Sequence, residues 1–196
     1  LYTVRSFPIG MDVASDYYFM NDKDVKSLAA ELSDVYLLNN EQTKLTDWTE
    51  SYKKIMYANI VLDNVDQADL DGMSNSERDV VKGTALFHRG WNLFWLAQEF
   101  SQAYEAGTAK NELGIPLRTT SDINVNFQRT NLEDTFLQIT KDLRDAAGLL
   151  PNLPLKKTRP SKAAAYAVLA RVFLYMGNVS EALNYANLSL AIQKDL

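Results

Sequence analysis

The sequence feature that most restricts the fold is a repeating pattern near the carboxyl end, from about residue 160 to 192. Large and small side chains recur there at helical spacing and are separated by one glycine; the positions are Tyr166, Leu169, Ala170, Phe173, Gly177 and Ala182. The small residues Ala170 and Ala182 would let two helices approach closely, and Gly177 would allow a tight turn between them. The pattern therefore predicts two helices packed back to back with almost no loop.

This register is that of the tetratricopeptide unit, a helix-turn-helix of about 34 residues. Two positions depart from it, because Ala186 stands where a large residue is usual and Ser189 where alanine is usual. A second unit is interrupted. The stretch 133–150 reads as its second helix and the helix ending at Phe100 as its first, with an insert over about 103–130 between them. Plain adaptors have short loops, so the insert favours a specialised descendant of the repeat.

The rest of the chain is also predicted to be mainly helical. We expect a short helix over 23–33, with Asn21 or Asp22 as its cap, then a loop over 34–46 and a long helix from about Asp47 to Val65. Two possible capping boxes, Ser74–Glu77 and Thr130–Glu133, mark the starts of further helices. Pro160 is placed in the first turn of the next helix, where its missing N–H has no cost.

Composition excludes several classes of function. The 196 residues, 46% of them hydrophobic, are enough for one domain with a sizeable core. A net charge of −5 with no basic face argues against a nucleic-acid partner. The absence of cysteine removes disulfides, thiolate metal sites and a cysteine nucleophile. His88 is the only histidine, and the sequence predicts no metal site, no cofactor and no enzymatic activity.

Five stretches, taken in order, resemble the SusD-like (RagB/SusD) family. They contain the sequences ASDYY, ANIVLDNV, KGTALFHR, GIPLR and RPSKAAA, and they lie within Ala14–Tyr18, Trp48–Val65, Lys82–Arg89, Gly114–Arg118 and Arg159–Gly177. The stretches span most of the chain, and an ordered set of this kind is specific. The resemblance implies an all-α fold of tetratricopeptide-like helical hairpins, in an irregular right-handed helical array with long extended loops.

The resemblance also implies a function. Proteins of this family are non-catalytic outer-membrane lipoproteins that bind a glycan or oligosaccharide at the cell surface. They pass it to a SusC-like TonB-dependent transporter. They are longer than this chain, so residues 1–196 are expected to form a single N-terminal helical region, with the C-terminal part, the signal peptide and the anchor cysteine outside the sequence. A soluble tetratricopeptide-type adaptor, binding a protein in its helix grooves, remains the alternative.

A glycan site needs flat aromatic faces for the C–H faces of the sugar and planar polar groups for its hydroxyls. In the family, aromatic residues on loops form this platform. The residues in or beside loops that fit these roles are Asp16, Tyr17, Tyr18, Tyr36, Asn39, Asn40 and Trp48. Trp91 and Trp95 lie in the most apolar helix and are predicted to pack in the core. Arg89 is predicted to be the buried partner of a carboxylate.

Overall fold

The computed structural model describes residues 10–17, 19–39, 46–68, 72–154 and 156–194. The chain divides into two compact units, residues 1–53 and residues 54–196. The all-α class is confirmed, because the strands in the described residues form only one small hairpin. The elements are α1 (Gly10–Val13), α2 (Asp22–Ser27), α3 (Ala30–Tyr36), α4 (Thr46–Asn64), α5 (Asn75–Phe100), β1 (Leu113–Pro116), β2 (Arg129–Asn131), α6 (Leu132–Leu149), α7 (Lys162–Tyr175) and α8 (Val179–Ile192).

The predicted helix starts are partly correct. The capping box before α5 is confirmed, since Ser74 Oγ accepts from the Glu77 N–H and Glu77 Oε2 accepts from the Ser74 N–H. The second box is wrong by one residue. Asn131 caps α6 by accepting from the Asp134 N–H at 2.7 Å. Thr130 belongs to β2, and its hydroxyl donates to the Ile115 carbonyl instead of capping the helix.

Two further boundaries differ from the sequence-based prediction. The single helix expected over 23–33 is broken into α2 and α3, because Leu28 and Ala29 are extended, with ψ of 154° and 143°. No residue of α2 is buried, so side-chain packing does not stabilise a continuation of this helix. Pro160 lies outside α7 rather than in its first turn. The cap is Ser161, whose hydroxyl accepts from the Ala164 N–H at 3.2 Å.

In the second unit, α5, α6, α7 and α8 pack as successive neighbours. Their shared core contains large side chains from all but the last helix, including Leu93, Phe94, Phe136, Ile139, Leu143, Leu169 and Val172. Trp95 is buried in this core as predicted, whereas Trp91 is only half-buried. No helix in the described part of the chain has the length and apolar content needed to cross a membrane.

The predicted hairpin at the carboxyl end is confirmed as α7 and α8. Gly177 turns the chain at a φ of +73°, a conformation that side-chain-bearing residues rarely adopt. Phe173 and Tyr185 stack across the two helices with ring centroids 5.5 Å apart. Ser189, which replaces the usual alanine, donates from its hydroxyl to the Ala163 carbonyl at 2.9 Å. The departure from the repeat pattern therefore adds a hydrogen bond between the two helices.

The long insert between α5 and α6 contains an antiparallel pair, β1 and β2. Gly114 in β1 lies so close to α6 that a Cβ there would be 2.1 Å from Thr135 Oγ1. Arg129 of β2 donates from Nε to the Gly114 carbonyl at 2.6 Å. Ile115 is fully buried beside this contact. The glycine of the GIPLR stretch is thus required by the close approach of the insert to the helix that follows it.

A buried polar network joins three helices to the far end of the insert. Arg89 of α5 donates from Nε and Nη2 to the two carboxylate oxygens of Asp142 in α6, both at 2.7 Å. Arg89 Nη1 also donates to Asn59 Oδ1 of α4 at 3.0 Å. Asn59 in turn donates from Nδ2 to the carbonyls of Arg118 and Thr120. The prediction that Arg89 is the buried partner of a carboxylate is therefore confirmed.

Asp63 extends this attachment one helical turn further along α4. Its Oδ2 accepts from the Ser121 N–H at 2.7 Å and from the Thr120 hydroxyl at 3.1 Å. These hydrogen bonds, chiefly the one from Ser121, hold the pKa of Asp63 below its usual value. Asn59 and Asp63 are two of the three polar residues of the ANIVLDNV stretch. Both serve to fix the insert on α4.

Replacement of Asp142 tests the buried network. The Asp142→Asn variant leaves the Arg89 charge buried without its counter-ion, so we expect the free energy of unfolding to fall by about 3–5 kcal/mol. The measurement is chemical denaturation. The double variant Arg89→Met, Asp142→Leu is the control, and it should lose less because no charge is left unpaired. A larger loss in the double variant than in Asp142→Asn would contradict this account.

The half-buried side chain of His88 gives a prediction about pH. Burial, and secondly the positive charge of Lys54, lower the pKa of His88 below its ordinary value of 6.5. The unfolded chain therefore takes up this proton first, so the stability due to neutral His88 is present above pH 6.5 and is lost as the pH falls toward the folded pKa. We expect His88→Gln to flatten the dependence of unfolding free energy on pH in the range just below pH 6.5. An unchanged slope in denaturation curves over this range would refute the assignment.

Candidate functional site

The predicted glycan-binding residues all belong to the first unit, where two aromatic side chains are presented to solvent. Tyr17 is 95% exposed and Phe19, two residues later, is 87% exposed. Both lie in the segment 14–21 between α1 and α2. Asp16 is also exposed in this segment, and Tyr18 lies outside the described residues. Large apolar rings at such exposure contribute nothing to the core of this unit.

The segment 14–21 is held at several points. Ser15 donates from its hydroxyl to the Asp12 carbonyl at 2.7 Å. Asn21 caps α2 by accepting from the N–H groups of Lys23 and Asp24. Between these two anchors, the Met20 N–H donates to the Tyr36 hydroxyl at 3.0 Å. Tyr36, predicted as a sugar contact, thus has a definite structural part in fixing the segment that carries Tyr17 and Phe19 against α3.

A second link connects α3 to the start of α4 within the same unit. Glu31 accepts from the Thr46 N–H at 2.5 Å and from the Thr46 hydroxyl at 2.7 Å. A carboxylate at a helix N-terminus is favoured by the exposed amides and the helix dipole. Trp48 follows in the first turn of α4, half-buried, with its ring 4.8 Å from that of Tyr52. The α3 helix therefore has attachments to both aromatic-bearing stretches of the predicted site.

The end of α3 carries a strained residue next to the predicted asparagines. Leu38 has a φ of +52°, and two hydrogen bonds close the helix around it, from the Asn39 N–H to the Asp34 carbonyl and from the Leu38 N–H to the Val35 carbonyl. This arrangement is a Schellman motif, whose left-handed position is usually glycine. Leu38 is nevertheless 74% exposed, and Leu37 beside it is also exposed. Strained residues of this kind are enriched at functional sites.

Of the two predicted asparagines, the structure describes only Asn39. Asn39 donates from Nδ2 to Asp34 Oδ1 at 3.2 Å, which is turn chemistry at the end of α3. Asn40 lies outside the described residues. Sequence reasoning did not select Phe19, Leu37 or Leu38, although alternation of Tyr17 and Phe19 around a single residue could have indicated the first of them. In the described residues, no group of three or more histidine, aspartate and glutamate side chains is placed to hold a metal ion.

In chemical terms, the described part of the first unit offers exposed aromatic faces, apolar leucine side chains and a few carboxylate and amide groups. Such groups can bind a ligand that has both apolar C–H faces and hydroxyl groups.

Comparisons with known proteins give one consistent result. The sequence model of the SusD-like family, described as "Starch-binding associating with outer membrane", matches residues 3–174. The fold is similar to that of a SusD superfamily protein from Bacteroides vulgatus, with 30% identity, a TM-score of 0.65 and coverage of 83% of this chain and 34% of that chain. A SusD superfamily protein from Bacteroides thetaiotaomicron gives 25% identity, a TM-score of 0.73 and coverage of 81% and 35%.

A laminarin binding SusD-like protein shares the fold, with 23% identity, a TM-score of 0.69 and coverage of 82% of this chain and 33% of that chain. The chain therefore spans about a third of the length of these solved structures. The curated proteins contain no match to it.

Glycine substitutions at the end of α3 test the strain at Leu38. Leu38→Gly should raise the free energy of unfolding by about 1 kcal/mol, because glycine adopts the left-handed conformation without steric cost. The matched control is Leu37→Gly, at a φ of −84° and also exposed, which should lower stability by about 0.5–1 kcal/mol. Denaturation curves of the two variants measure both effects. Equal destabilisation by both substitutions would show that Leu38 is not strained.

Proposed function

Because the chain belongs to the SusD-like family, whose description is starch-binding in association with the outer membrane, we propose that the protein binds glycans at the outer membrane for import. The observation in this chain that carries the proposal is the exposed pair Tyr17 and Phe19. Both rings lie on one segment that hydrogen bonds fix at Ser15, Met20 and Asn21.

In this proposal the aromatic rings contact the C–H faces of the sugar, and nearby polar side chains bind its hydroxyls. Tyr17 and Phe19 form the aromatic part, and Asp16 is the adjacent hydrogen-bond acceptor. Tyr18 and Asn40, which lie outside the described residues, are included because of their places in the sequence. Trp48, Tyr36 and Asn39 complete the set. Of these three, Tyr36 acts through the hydrogen bond that positions the segment.

We also propose that binding occurs without chemistry on the glycan. Glycosidases use a carboxylic acid whose pKa is raised so that it can protonate the leaving oxygen. The carboxyl groups with shifted pKa values in the described residues, Asp63 and Glu77, have lowered values, because they accept hydrogen bonds from Ser121 and Ser74. These two groups act as structural anions. The support for a binding protein comes from the description of the family, which names binding and no reaction.

The family also suggests a setting for the protein. We propose that it is held at the outer membrane by a lipid anchor outside this sequence and that it delivers the glycan to a SusC-like TonB-dependent transporter.

The adaptor alternative is favoured by one observation, the exposed apolar side chains Val179, Leu183 and Leu190 on α8. An adaptor would bind a peptide there and would not need the exposed aromatic pair in the first unit.

Alanine substitution of the aromatic pair tests the proposed function. The first step is a glycan array with the complete natural protein, and the second is calorimetric titration with the best oligosaccharide. The double variant Tyr17→Ala, Phe19→Ala should bind it about tenfold or more weakly, because the stacking surface is lost. Tyr57→Ala is the control, since Tyr57 is also exposed but lies on α4 in the second unit.

Three results would count against this proposal. An array without any binding across plant, host and microbial polysaccharides would reject glycan capture. Equal affinity of the double variant and the Tyr57→Ala control would reject the aromatic pair as the site. Cleavage of the bound oligosaccharide would reject the non-catalytic assignment.

A further inference from the structure

A cationic side chain lies on an aromatic surface between two helices of the second unit. Arg171 of α7 places its guanidinium carbon 5.4 Å from the ring centroid of Trp95 and 5.9 Å from that of Trp91, both on α5. The two indole rings meet edge to face, with centroids 5.5 Å apart. Attraction between a cation and ring faces holds the planar guanidinium in place. We call Arg171, Trp91 and Trp95 the Arg171 shelf.

In the described residues, the guanidinium of Arg171 forms no hydrogen bond or ion pair with an acceptor of the protein. Arg171 is exposed and Trp91 is half-buried, so solvent reaches this surface. In the part of the chain that the structure describes, no carboxylate lies within 4.0 Å of the Arg171 nitrogens. A guanidinium has five N–H donors in one plane. Stacking on the two indole rings orients these donors, and in the described residues none of them has a hydrogen bond to an acceptor of the protein.

Other arginines in the same unit show what a structural role looks like. Arg89 is buried and donates to both oxygens of Asp142. Arg144 also lies over aromatic rings, 5.3 Å from Phe173 and 6.0 Å from Tyr185. It differs from Arg171 because its Nε donates to the Tyr185 hydroxyl at 2.9 Å. Arg144 thus completes an internal contact, whereas Arg171 has similar stacking but no internal acceptor.

We propose that the Arg171 shelf is a second sugar site, separate from the aromatic pair of the first unit, and that it binds the carboxylate of an acidic saccharide. This inference rests on the proposed glycan-binding function and names a substrate class for it. A planar guanidinium binds a carboxylate through two parallel hydrogen bonds. The accessible part of Trp91 adds an apolar surface for the C–H groups of the same uronate ring. A neutral sugar would leave the cation without a counter-charge.

The charge of the whole chain makes this recognition local. With a net charge of −5, the protein has no general positive field that would attract an anionic saccharide. Binding of a uronate at the shelf therefore depends on Arg171, the cation that the described residues place over the rings of Trp91 and Trp95. Removal of that cation should abolish the preference for an acidic over a neutral saccharide and leave the binding of neutral glycans to the first unit unchanged.

The test compares charged and uncharged forms of one saccharide. The complete natural protein is titrated calorimetrically with oligogalacturonide, oligoglucuronide and oligomannuronide, and with the same three saccharides after reduction of their carboxyl groups to alcohols. We expect at least one uronide to bind about tenfold or more tightly than its reduced form. Arg171→Gln should remove this preference. Arg171→Lys keeps the charge without the planar fork and should retain part of it.

Arg144→Gln is the matched control, because it also removes an exposed arginine that stacks on aromatic rings, and it should leave the preference intact. Thermal unfolding of each variant checks that the fold persists. The proposal is overturned if no uronide binds, if reduction of the carboxyl groups has no effect, or if Arg171→Gln and Arg144→Gln weaken binding equally. Neutral glycan binding that still depends on Tyr17 would, in those cases, leave the proposed function standing. Absence of any glycan binding would reject both.

Discussion

The second unit depends on one buried ion pair. Arg89 and Asp142 join the two helices that flank the insert. The remaining terminal nitrogen of the same guanidinium, Nη1, donates a hydrogen bond to Asn59 on α4. Removal of two charges from water is expensive, and only full pairing compensates for it. The network meets that condition. Asp142 also accepts a hydrogen bond from Gln138, and both the oxygen and the nitrogen of the Asn59 side-chain amide form hydrogen bonds. A long insert can therefore have a definite path, because its carbonyls at 118–120 complete hydrogen bonds that the helices would otherwise leave unmade.

The first unit is built on a different principle. Its described helices are short, and neither α2 nor α3 has a buried residue. Order there comes from individual hydrogen bonds, such as those of Tyr36 to Met20 and of Glu31 to Thr46. Aromatic and leucine side chains are left exposed, and Leu38 has an unfavourable backbone conformation. Exposed apolar surface and backbone strain both cost stability, and their joint presence in one small unit supports the proposal that the glycan site lies there.

The sequence predicts the fold better than the site. Periodic apolar residues and the cap at Ser74 locate α4 and α5 to within about a residue, because these signals are local. The prediction fails where the outcome depends on distant contacts. Thr130 loses the capping role to Asn131 because its hydroxyl pairs with Ile115 across the hairpin. Asn59 and Asp63 belong to one sequence motif and Arg89 to another. Only the folded chain brings the three residues together around the insert. The single-region prediction for residues 1–196 stays a prediction. The exposed position of Phe19 depends on tertiary structure, and its sequence signal is limited to its two-residue spacing from Tyr17.

The central claim is that the exposed aromatic pair of the first unit, Tyr17 and Phe19, forms the glycan-binding surface. The most direct test is a crystal structure of the complete natural protein with a maltooligosaccharide, or with whichever oligosaccharide an array identifies as the tightest ligand. The account predicts a sugar ring in van der Waals contact with Tyr17 or Phe19, and a sugar hydroxyl within hydrogen-bond distance of Asp16. A well-ordered oligosaccharide bound elsewhere, with both aromatic side chains still in solvent, would contradict it.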